Sequence, residues 1–75
     1  MFKINFWRLT AHSTSFNGSV AIAFQFCIGN HVADIYLNGK LVALVSRVPE
    51  GAYVLCANGR EYTLPLAALP FHKSA

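Results

Sequence analysis

The dipeptide Asn-Gly occurs at Asn17-Gly18, Asn38-Gly39 and Asn58-Gly59, at nearly equal intervals along the chain. A type I′ hairpin turn needs positive φ at both central residues, which Asn and Gly tolerate best, so Asn-Gly between alternating apolar residues is the strongest short-range hairpin signal. Gly29-Asn30 suits a type II′ turn, and Pro49-Glu50-Gly51 offers a preset φ followed by a glycine. The chain therefore reads as one all-β domain over residues 1–75: a six-stranded antiparallel meander, as a curved sheet or small barrel. At most one short C-terminal helical turn fits, between Pro65 and Pro70.

Cross-strand partners must place like residues on one face. Two-residue turns set Trp7 opposite Ile28, Leu9 opposite Phe26 and Phe24 opposite Ile35, then Ile35 opposite Val42, Leu44 opposite Leu55, and Leu55 opposite Tyr62. All of these belong to one apolar face if Pro49-Glu50-Gly51 makes a two-residue loop; a three-residue loop with a bulge there would flip the last hairpin. The other face collects Asp34, Tyr36, Leu41, Val45 and Arg47, and the terminal segments Phe2–Phe6 and Leu64–Phe71 are expected to cover part of it.

At 75 residues a single core is only just large enough, and with 55% of residues hydrophobic and 12% charged the chain cannot hide all its apolar surface. An exposed apolar patch meeting a partner or a second copy is the expected result. The net charge of +3 is a mild bias, because no two basic residues are adjacent. Between Leu9 and Ala33 there is no charge, but polar residues leave only Val20–Ile28 as a continuous apolar block, far short of the about 20 residues that a membrane span needs. No membrane segment or secretory leader is expected, and the compartment is read as cytoplasmic.

Motifs of catalysis are missing. No GxSxG elbow is present, and His12 and Ser13 are strand neighbours pointing to opposite faces, so no enzymatic activity is expected. Cys27 and Cys56 show neither CxxC nor metal-ligand spacing with the histidines; they read as small hydrophobes, and neither metal nor cofactor is expected.

The candidate contact residues are Tyr36 and Val45 as anchors on the second face, with Arg8, Lys40, Arg47 and Arg60 as steering charges. Such a surface fits docking on a larger protein or protein complex, one that itself handles nucleic acid among the options. The pattern suits a small inhibitor or accessory protein of phages and mobile elements, of the anti-CRISPR or other anti-defence type, acting by occlusion. The first alternative is a nucleic-acid-binding barrel of the OB or SH3-like sort, with Lys40 and Arg60 on a phosphate-binding rim. The second is a self-assembling subunit or homodimer that pairs through an open edge strand.

Overall fold

A computed structural model describes residues Met1–Leu69. The order of elements is β1 (Phe2–Phe6), β2 (Leu9–Ser13), α1 (Phe16–Phe26), β3 (Val32–Leu37), β4 (Lys40–Val48), β5 (Gly51–Cys56), β6 (Glu61–Pro65) and a 3-10 turn over Leu66–Ala68. The strands form one antiparallel sheet in the order β2-β1-β3-β4-β5-β6. The all-β reading is thus corrected: a helix of 11 residues stands where the second strand of the meander was expected. The sheet is open, with β2 and β6 as its edges, and is not a barrel. The covering segment expected to end at Phe71 and its stop at Pro70 run beyond the described residues.

Local chemistry explains the helix. Phe16, Val20, Ala23, Phe24 and Cys27 recur at helical spacing and all contribute to the core. Ser15 holds the N-cap in an extended conformation, and its side chain accepts a hydrogen bond from the Gly18 N–H at 3.0 Å. Asn17-Gly18 is therefore absorbed into the first helical turn instead of making a hairpin. Topology demands such a connection. Both β2 and β3 are antiparallel to β1, which lies between them, so they run parallel to each other and need a crossover over β1.

The helix packs on one face of the sheet, against Ile4, Phe6, Ala33, Ile35, Ala43, Val45, Ala52 and Val54, all buried. Its C-terminus is tied down twice. The Cys27 thiol, fully buried, reaches the Val45 carbonyl at 3.2 Å, and its burial pushes the thiol pKa up. The Arg47 guanidinium lies 3.9 Å from the Phe24 ring centre and donates to the Cys27 carbonyl at 2.9 Å and the Phe24 carbonyl at 3.0 Å.

The expected pairs Leu9–Phe26 and Phe24–Ile35 are lost to the helix, Leu9 lying opposite Phe6 and Ile35 opposite Ile4 instead, and from Asn38 onward two one-residue slips separate the observed register from the expected one. At Asn38-Gly39 the turn forms, with φ of 53° and 81°, but Val42 is a β-bulge: Tyr36 pairs with Leu41 and Ile35 with Ala43. The bulge turns β4 and β5 over. Val45 and Val54 enter the core at 0% exposure, while Leu44 and Leu55, still opposite each other, face away from the helix. The second slip is at Asn58-Gly59, where the Cys56 N–H bonds to the Arg60 carbonyl at 2.7 Å and the loop takes three residues, not two. Leu55 therefore pairs with Glu61 instead of Tyr62, and β6 returns Tyr62 and Leu64 to the core side.

Candidate functional site

The first hairpin turns on Trp7-Arg8, a two-residue loop between Phe6 and Leu9, which are paired. Trp7 has φ of 53°, in the left-handed region that this kind of loop ordinarily fills with Gly or Asn. A bulky aromatic there costs on the order of 1–3 kcal/mol. Its side chain recovers little of that by burial, since 77% of the residue is exposed.

The helix exit runs past this loop. Fixed by the Arg47 fork at Cys27, the chain leaves α1 and presents Ile28, which is 71% exposed. Gly29 then turns with φ of 65°, and His31 follows just before β3. The His31 ring meets two aromatic edges, Phe6 at 5.5 Å and Trp7 at 5.7 Å between centroids, both in near-perpendicular arrangement. Phe6 in turn packs on Phe26 at 6.5 Å, which anchors the cluster in the core. Phe6, Trp7, Ile28 and His31 line a cleft of about 280 Å³. The half-exposed Leu9 and the exposed Arg8 flank it. Trp7 and Ile28 do come together, then, but as the two lips of a cleft and not as a cross-strand pair within the core.

The residues singled out from sequence are scattered. Tyr36 lies half-buried on the sheet face away from the helix, with the Lys3 ammonium 5.6 Å from its ring centre. Val45 is a core residue and can anchor no surface contact. Arg47 is engaged by the helix carbonyls and is a positioning residue, not a free steering charge. Lys40 and Arg60 follow the Asn38-Gly39 and Asn58-Gly59 turns, which share the end of the sheet opposite Trp7. Arg60 stacks at 5.9 Å over Tyr62. Arg8 alone of the expected cations sits beside the cleft. Asn17-Gly18, inside the helix, contributes no turn to the basic rim.

Among the described residues no group of three or more His, Cys, Asp or Glu side chains is arranged to hold a metal ion, and no helix is long and apolar enough to cross a membrane. Both cysteines are free. No protein-family model matches this chain, and no curated protein or solved structure matches it either.

Proposed function

We propose that this chain is a non-enzymatic interaction module that docks on a larger protein through the Trp7 end of its sheet. The observation that carries the reading is a tryptophan held in a left-handed turn with most of its surface in water. Where the chain needs only a turn, it uses Asn38-Gly39. Where it uses Trp7-Arg8, the turn displays something, and stored backbone strain of that kind is a hallmark of ligand-binding positions.

The chemistry suits a protein partner. Tryptophan is the residue most enriched among binding hot spots, and here it stands over a preformed cleft with an aliphatic lip and an imidazole wall. An apolar side chain of the partner fills the cleft between Trp7 and Ile28, and Arg8 at the rim speeds encounter with an acidic surface. Because the cluster rests on Phe26 and the Arg47-clamped helix end, little ordering is needed on binding. Occlusion of a functional surface, as by an inhibitor or accessory protein of phage type, is the mechanism that such a small preformed surface supports. The barrel form of nucleic-acid binding loses its architecture in an open sheet, and its two rim cations lie at the far end.

Trp7 is the chain's only tryptophan, so its emission reports directly on the cleft. With the partner captured from host cells by the tagged chain, titration shifts the emission to the blue. Ile28→Asp, which keeps the fluorophore, weakens the complex by about tenfold or more, and Trp7→Gly abolishes capture while leaving thermal stability equal or higher. Full capture by Trp7→Gly would sink the proposal, as would an emission shift produced by oligonucleotides and lost with salt.

A further inference from the structure

The two edges of the sheet are finished differently. An edge strand offers a row of unpaired N–H and C=O groups to any extended chain, and proteins ordinarily blunt it with a charge, a proline or a bulge. At one edge, β6 begins at Glu61 and ends at Pro65. At the other, β2 reads Leu9-Thr10-Ala11-His12-Ser13, with no Pro, Asp, Glu, Lys or Arg, and follows β1 residue for residue without a bulge. The two-residue Trp7-Arg8 loop makes Phe6–Leu9 the closing hydrogen-bonded pair of this hairpin. Alternation along the ladder then commits Ala11 and Ser13 to β1 as well, and turns the N–H and C=O of Thr10 and His12 outward. Thr10 and His12 are exposed, and among the described residues no backbone bond beyond the ladder reaches either of them.

We infer that β2 receives an extended segment of the partner protein as an added strand, antiparallel to it and with its C-terminal end at the Trp7 cleft. This deepens the reading of the Trp7 end and rests on it for the partner's being a protein. Continuity with the cleft selects the occupant. Because β2 starts at Leu9, directly after Trp7-Arg8, a strand laid along it and carried past Leu9 comes level with Trp7. Alternate side chains of that strand share the helix side of the sheet with Leu9 and Ala11, whose cross-strand partners Phe6 and Ile4 are buried, and the same alternation delivers an apolar side chain to the cleft.

Charge narrows the choice. The chain's acidic residues, Asp34, Glu50 and Glu61, all lie on β3 or beyond it, whereas Arg8 stands at the head of β2 and Lys3 lies opposite His12. An acidic residue of the incoming segment opposite Arg8 is therefore favoured. A second copy pairing β2 on β2 about a two-fold axis would bring its Ser13 end to the cleft, followed by Thr14 and Ser15, and so supply neither the apolar side chain nor the acid.

The probe is the peptide acetyl-Val-Thr-Val-Thr-Leu-Asp-Leu-Asp-amide, whose threonines fall opposite His12 and Thr10, and the readout is amide hydrogen exchange of the full chain by NMR. In the free chain Thr10 and His12 exchange fast beside a protected Ala11. Millimolar peptide slows both by about tenfold or more and shifts Trp7 emission to the blue, and N-methylation of its two threonines abolishes the protection. Thr10→Pro removes an outward N–H and no bond to β1, so circular dichroism shows the fold kept while peptide affinity falls about tenfold; Thr10→Ala changes it by less than about threefold. Amides of Thr10 and His12 already protected in the free chain overturn the inference, because the edge is then taken. Peptide that leaves them unprotected overturns it too, as does a chain sedimenting at twice 8.2 kDa that Thr10→Pro returns to 8.2 kDa, which gives the edge to a second copy. If the N-methylated peptide shifts Trp7 emission as far as its parent, the cleft binds alone: the added strand is refuted and the reading of the Trp7 end stands. Protection of Thr10 and His12 with no change in Trp7 emission supports the added strand and sinks the cleft instead.

Discussion

Arg47 shows how much one side chain settles in a domain this small. A helix ends with unpaired carbonyls and a negative dipole end, and Arg47 answers both while stacking on Phe24. Removing the fork should cost about 1–2 kcal/mol, a fall of roughly 5–15 °C in Tm by thermal unfolding for Arg47→Ala. Lysine supplies a point charge without the planar two-pronged geometry, so Arg47→Lys recovers only a minor part of the loss. A Tm within about 2 °C of the wild type for Arg47→Ala would mean that water replaces the fork at no cost. Nothing in the sequence marks this role. The partners lie 20 and 23 positions away, and a charged residue on an amphipathic strand reads as solvated. Trp7 was more legible than its assignment to the core suggests. Phe2, Ile4 and Phe6, then Leu9 and Ala11, alternate with polar residues on either side of Trp7-Arg8, which is a hairpin pattern lacking only its usual turn residues.

At the level of elements, each Asn-Gly pair met a different competitor. Asn38-Gly39 had none and made its turn. Asn58-Gly59 yielded one more residue, Ala57, to its loop, and a single extra residue exchanges the faces of the next strand. Asn17-Gly18 lost to the Ser15 cap and to the apolar spacing from Phe16 to Cys27, which coexists with an alternation of small and large residues over Ala21 to Phe26 that imitates a strand. The antiparallel sheet and the last three hairpin positions were legible because turn chemistry is local. The Val42 bulge was not, because it answers to the packing of Ala43 and Val45 beneath the helix. Gly51 tests the β5–β6 ladder. Its φ is 150°, and a Cβ there would lie 2.0 Å from the Leu64 carbonyl oxygen, whereas at Gly59, with φ of 91°, it would meet open space. Gly51→Ala should cost at least about 3 kcal/mol in urea unfolding, and Gly59→Ala about 1 kcal/mol. Equal midpoints for the two variants would mean that β6 does not hold its register.

On the scale of the whole molecule, the fold divides its labours by direction. One broad side is sealed by the helix, the other mixes Tyr36, Leu41, Leu44 and Leu55 with charged and polar residues, and the loops are sorted to two ends: Trp7-Arg8 and Pro49-Glu50 at one, the Asn38-Gly39 and Asn58-Gly59 turns at the other. The left-handed tryptophan loop has one more consequence. Since the strain belongs to the backbone and not to the partner, evolution can relieve it at any time with a single glycine, so the persistence of tryptophan at this spot should track the persistence of the target: lineages that lose the one are expected to lose the other.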